Sequence, residues 1–273
     1  MYPTGPAAGR RRPPRPRRRG MGVPARSEAM PTTRRTPTRR VAPARPGFTL
    51  IETALATVII GVGVLAMMDA FQGFLRANSW STQSSTATLL AGEIREMSRT
   101  FPRHDAFAGG IYFENPTAHT TFRGWGPEPD ETDPSMFDDI DDFDGAVFGS
   151  AADSDLPGPV GVTGAGVAMR YPGPIDAFAA VIPETDWAGV TATDGAGADL
   201  PLQGWSQYVR VEKVDPADYT VTRADDYYEP AAGATPELEV DQFPLRVTVW
   251  ALYQGPFDTS ARVVARHTWV VPR

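Results

Sequence analysis

From Phe48 to Met68 the chain reads FTLIETALATVIIGVGVLAMM, 21 residues in which Glu52 is the only charge. Wound as a helix, this stretch is roughly 31 Å long, the hydrocarbon thickness of a bilayer. No proline interrupts the sequence until Pro102, but the pattern changes along the way. Leu90, Ile94, Met97 and Phe101 follow one another at spacings of four, three and four. That places them on one helical face, as in a helix lying on a sheet. Asp69 breaks the hydrophobicity without breaking the helix, whereas Gly61, Gly63 and Gly73 weaken helix propensity locally. Pro102 disfavours helical geometry at the residue before it and makes a good stop. The expectation is one helix over about 48–100, with 48–75 in lipid and the remainder amphipathic.

Beyond Pro102 the pattern shortens. Gly110 to Phe113 and Val167 to Tyr171 have the look of brief strands. Tyr208 to Val214 alternates, and Leu245, Val247, Val249, Ala251 and Tyr253 line one face of a longer strand. Val263, Ala265, His267, Trp269 and Val271 line one face of another, and Gln254 to Ser260, with Gly255 and Pro256, form the turn between the two. Three antiparallel strands packed on the amphipathic helix give an α+β head over 76–273. No internal repeat is apparent.

Composition adds an asymmetry to this outline. Residues 1–47 carry 13 of the 26 Lys and Arg and a single acid, Glu28, a net charge of about +12, with ten prolines. Such a tract cannot bury enough apolar surface to fold. A basic flank before an apolar span predicts a cytoplasmic N-terminus and a translocated C-terminal part, an inner-membrane topology with one crossing. The remaining residues are strongly acidic, which argues against direct binding of nucleic acid. Between Glu128 and Asp155 lie 11 acids and no base, so 128–155 is expected to be an acidic, largely exposed loop. The chain has no cysteine, which removes disulfides, thiolate metal sites and cysteine nucleophiles together.

At the boundary between leader and span the sequence is Arg45-Pro46-Gly47-Phe48-Thr49-Leu50-Ile51-Glu52. This junction resembles the type IV pilin superfamily of pilins, minor pilins and type II secretion pseudopilins, over the junction and helix, about 55 residues. The resemblance implies cleavage after Gly47 by a membrane-embedded prepilin peptidase on the cytoplasmic side, followed by N-methylation of Phe48. It implies that Glu52 pairs with the Phe48 amine of a neighbouring subunit and sets the stagger of one helix against the next. An ionised side chain in lipid costs at least about 2.5 kcal/mol, so a carboxylate at this place needs such a partner or contact with interfacial water. The leader is long for the family. Met21 and Met30 lie inside it, and a start at Met30 gives an 18-residue leader with five arginines. A helix without a central proline, the run Val58-Ile59-Ile60-Gly61-Val62-Gly63-Val64-Leu65-Ala66 and the missing cysteines resemble minor pilins and pseudopilins more than major fibre proteins.

Enzyme constellations are scarce. His104, His119 and His267 show no zinc spacing, there is no GxSxG elbow or P-loop, and Lys213 is the only lysine. Gly61 to Ala66 fits a nucleotide fingerprint in form but sits inside the apolar span with no strand before it. The one dense cluster is Asp138-Asp139-Ile140-Asp141-Asp142-Phe143-Asp144-Gly145. Asp138, Asp139, Asp141, Asp142 and Asp144 offer hard oxygen ligands of the kind calcium takes, although the spacing fails the EF-hand loop. The expected function is therefore a non-enzymatic filament subunit that meets prepilin peptidase, the inner membrane and its fellow subunits. The alternative is an uncleaved, single-pass envelope protein whose acidic head binds a ligand or calcium.

Overall fold

The computed structural model describes residues 47–104, 110–129, 131–158, 169–233 and 236–273. The leader before Gly47, Asp130 of the acidic loop, and Val167 and Ala168 of one expected strand lie outside them. By compactness the chain falls into two units, one ending at Thr57 and one from Val58 to Arg273. The first contributes the exposed start of the helix, and the second contains the head.

Helix α1 spans Leu50–Ser98, 49 residues without a break. Thr49 caps it: its Oγ1 accepts the Glu52 amide at 3.4 Å, and its carbonyl accepts the Thr53 amide at 3.1 Å. The three glycines do not interrupt it. Nothing lies within 4 Å of where a Cβ would stand at Gly61, Gly63 or Gly73. Ala87, Leu90, Ala91, Ile94, Met97 and Ser98 are buried along one face, and Phe101 packs beside them, as the periodicity predicts.

The head carries a two-stranded hairpin, β1 (Tyr112–Asn115) with β2 (Thr120–Arg123), and a larger sheet. The larger sheet contains β3 (Val147–Gly149), β4 (Arg170–Tyr171), β5 (Trp205–Lys213), β6 (Leu245–Tyr253) and β7 (Arg262–Val271), in the order β4-β3-β5-β6-β7. All neighbours are antiparallel except β3 and β4, which run parallel. The α+β arrangement is therefore as expected, with five strands in the sheet instead of three. One face of the sheet presents Val209, Val211, Leu245, Val247 and Val249 to Ala91, Ile94 and Met97 of α1. The opposite face packs Tyr208 and Leu252 on Val147, Ala151 and Leu156.

Strand β7 departs from the expected alternation. Ala251 pairs with Ala265 but Leu252 pairs with Val263, so Val264 is an extra residue in a bulge. A bulge reverses the phase of everything before it. Val263 consequently leaves the face of Ala265 and stands opposite Leu252, 43% exposed.

Two buried polar side chains organise the helix-facing side. Gln207, fully buried, donates from Nε2 to the carbonyls of Leu90 (2.7 Å) and Ile175 (3.0 Å) and accepts the Ile175 amide at Oε1 (2.9 Å). Lys213, also fully buried, donates to the carbonyls of Asp225 and Tyr227 and lies 5.4–6.0 Å from the ring centroids of Phe122, Trp125 and Phe243. Burial pulls its amine down to about 8.

Between β4 and β5 the chain makes a repeat that was not apparent from the sequence. Asp176, Asp186 and Asp194 each open a tight turn, and each Oδ1 accepts two amides, two and four residues on, at 2.8–3.0 Å. The fourth residue of each turn has positive φ: Ala179 (63°), Gly189 (79°) and Gly197 (86°). That conformation suits glycine and costs an alanine about 1 kcal/mol.

Two measurements check these packing arguments. Replacing Gln207 by Leu strands the amide and carbonyl of Ile175, and urea unfolding should show a loss of about 3 kcal/mol. At the turns, Ala179→Gly should gain about 0.5 kcal/mol and Gly189→Ala lose about 1 kcal/mol in the same assay, because no atom near Gly189 resists the added methyl.

Candidate functional site

Two places carry the residues singled out from the sequence. The first is the start of the chain's apolar helix. Gly47 and Phe48 precede α1 and are exposed, Phe48 at 79%. Glu52 sits in the first turn, also exposed. The large apolar residues from Leu50 through Leu75 are exposed as well, among them Ile51, Val58, Ile60, Leu65 and Phe71. The helix is long and apolar enough to cross a membrane, and its most apolar window is wholly unburied. Thr53 and Thr57 return their hydroxyls to the carbonyls of Leu50 and Thr53, at 2.9 and 2.8 Å, so neither adds an unmet donor to the apolar surface.

The second place is the acidic segment, and here the expectation of an exposed loop is overturned. Glu131 and Asp139 through Gly149 are buried, with Asp139, Asp141, Asp142 and Asp144 at 2% exposure or less. The reason lies in the residues between the acids. Phe137, Ile140, Phe143 and Ala146 belong to the main core, and Phe143 stacks on Phe101 and meets Phe137 edge to face. Docking those side chains carries the intervening carboxylates inside.

The five aspartates part company there. Asp144 is a structural carboxylate: it accepts the Val211 amide (3.0 Å) and the Trp125 indole Nε1–H (3.1 Å), and pairs with Arg210 at 3.2 Å. Burial still holds it up, at about 6. Asp141 accepts the Gly126 amide (3.1 Å) and meets His104 Nδ1 at 2.6 Å. Burial drives that pair in opposite directions, His104 down to about 3 and Asp141 up to about 8, so one proton between them serves the contact. Asp138, Asp139 and Asp142 converge, each offering an oxygen within 4.8 Å of the others. Glu128, Glu131 and Asp142 form a second such group, so Asp142 belongs to both. His104, Asp139 and Asp141 form a third. Spacing along the chain had drawn no attention to Glu128, Glu131 or His104. The one sequence signal for the two glutamates was the absence of any base between Glu128 and Asp155.

No known protein family matches the chain, nor does any curated protein or solved structure.

Among the described residues, no ion pair reaches Glu128, Glu131 or Asp142. Burial lifts Glu128 and Glu131 to about 7 and Asp142 to about 8, with repulsion from neighbouring carboxylates adding to the effect. In the unfolded chain such carboxyls ionise near pH 4. The fold therefore holds more protons than the unfolded state from about pH 4 to about pH 8, and stability falls as pH climbs through that window. Carboxylates drawn the other way by hydrogen bonds, Asp133, Asp194, Asp215 and Asp218, titrate beneath it. Thermal unfolding in EDTA should accordingly occur several degrees lower at about pH 8 than at about pH 5, with the gap narrowed in Asp142→Asn.

Proposed function

We propose that this protein is a structural subunit, a minor pilin or pseudopilin, of a type IV pilus or type II secretion filament. The observation that carries the reading is α1 itself. Its first half exposes a largely apolar surface, its second half is packed on a sheet, and it begins two residues after the Gly47-Phe48 junction. A helix of this kind can lie in the inner membrane as a monomer and later exchange lipid for the helices of its neighbours without refolding the head. Prepilin peptidase would cut after Gly47, and methylation would follow on the new Phe48 amine.

Glu52 is the residue on which assembly turns. Thr49 accepts the Glu52 amide, and among the described residues no ion pair reaches the Glu52 carboxylate, which we take to meet a cation from a neighbouring chain. The Phe48 amine of an adjacent subunit has the right charge and, through the same helix start, a fixed position. The net negative charge of the head repels phosphate, and no nucleic acid partner is proposed.

The test uses protein from native membranes. Its mass and N-terminal sequence should show a chain beginning at methylated Phe48, and Gly47→Ala should leave the leader attached. Glu52→Gln should be cut normally yet enter filaments about tenfold less, since a lost charge pair in lipid amounts to at least one decade. An intact leader on the wild-type chain would overturn the filament reading in favour of an anchored envelope protein.

A further inference from the structure

One end of the head comes level with the end of the apolar span. Ala87 and Leu90 of α1 pack on Trp205 and Ala251, whereas Ala91, Ile94 and Met97 pack with Val209, Val211, Leu245, Val247 and Val249. The helix therefore runs alongside β5 in the same direction. The sheet end made by the paired residues Trp205, Tyr253 and Arg262 lies toward the apolar half of α1. Counted from Phe48 at about 1.5 Å per residue, Asp69 stands about 32 Å along the helix and Arg76 about 42 Å. Those lengths match the hydrocarbon thickness of a bilayer and its full thickness with headgroups.

An open cleft of about 700 Å³ occupies this junction, and Leu75, Arg76, Trp80, Gln83 and Arg262 are among its lining residues. Arg262 is held by two contacts: its Nη2 donates to Gln83 Oε1 at 2.6 Å, and its guanidinium carbon lies 5.7 Å from the Trp80 ring centroid. Arg76 is the first base after Arg45. Among the described residues no ion pair reaches either arginine, and no acid lines the cleft. Asp258, in the adjoining turn, gives its Oδ2 to the Gly255 amide at 2.9 Å. The head as a whole repels phosphate, but this cleft is locally positive. Leu75 and Trp80, 50% and 53% exposed, supply an apolar wall. An indole, apolar in body with one polar N–H, suits the bilayer interface. Phe257, in the turn beyond the same sheet end, is 97% exposed and adds a second aromatic there.

We infer that the cleft holds the phosphate of an anionic phospholipid from the leaflet on the head's side of the membrane. Arg76 and Arg262 take the phosphate oxygens, and Leu75 and Trp80 lie against the top of the acyl chains. A zwitterionic headgroup carries its own cation beside the phosphate, which two guanidinium groups repel, so the cleft selects the anionic lipid. Such a contact fixes the height of the head above the bilayer. The site rests on the reading of α1 as a membrane span, and it stands whether or not Gly47 is cut.

The experiment uses the full chain in phosphatidylcholine vesicles that contain a minor fraction of brominated phosphatidylglycerol or of brominated phosphatidylcholine, the bromines near the headgroup end of the acyl chains. Quenching of Trp80 is taken as the difference between the wild type and Trp80→Phe. The basic leader does not confuse this signal, because Trp80 reports only its own surroundings. Brominated phosphatidylglycerol should quench Trp80 at least about threefold more than brominated phosphatidylcholine, since each arginine at an anionic surface gives about a fivefold gain in affinity. Combining Arg76→Gln with Arg262→Gln should make the two lipids equal, while Arg76→Lys with Arg262→Lys should keep the preference. Arg123→Gln, at an exposed ion pair on β2, should change nothing. Resistance of the wild type to carbonate extraction reads the span separately. If carbonate strips the wild type from the vesicles, the membrane-spanning reading falls and the lipid site with it. If the chain stays but both lipids quench equally, or the preference survives in the double glutamine variant, the lipid site alone is overturned.

Discussion

The head depends on one buried amide. Gln207 stands fully buried on the helix-facing side of the sheet and joins three separate pieces of chain through three hydrogen bonds. It holds α1 through the Leu90 carbonyl and the start of the turn repeat through both polar groups of Ile175, while its own backbone is in the β5 ladder. An apolar residue there would fill the space equally well but would not say which carbonyl belongs opposite. The register of α1 along the sheet, and hence which helical face meets Val209 and Val249, is specified by that side chain.

The acidic segment is the counterpart of this economy. Placing several carboxylates in an interior raises the energy of the ionised fold, and the aromatic residues among them, Phe137 and Phe143, supply the compensating burial. The two effects act on the same few residues. The segment is held in place by its apolar side chains and set under electrostatic load by the acids between them, so its local stability is tuned by whatever neutralises the charge.

The helix was legible in the sequence because its signal is periodic and long. Leu90, Ile94 and Met97 are buried where a 3.6-residue repeat puts them, and Pro102 follows the helix end closely. The two long strands β6 and β7 were legible for the same reason at a period of two. What escaped notice had no period to show. The bulge at Val264 shifts β7 by one residue, a tertiary accommodation invisible in alternation alone. The acidic segment was misread as surface because eleven acids and no base dominate its composition, whereas in folding Phe137, Ile140, Phe143 and Ala146 decide. The turn repeat is marked by Asp176, Asp186 and Asp194 alone, at unequal intervals, and the structural equivalence lies in backbone φ.

Lys213 has a consequence for the chemistry of the whole chain. It is the only lysine, and its amine is enclosed by two carbonyls and three aromatic rings. Acylating reagents, which need an accessible uncharged amine, find no lysine to attack on the folded head. A modified lysine therefore appears only when the aromatic enclosure opens, and the rate at which an active ester labels Lys213 reports how often that happens.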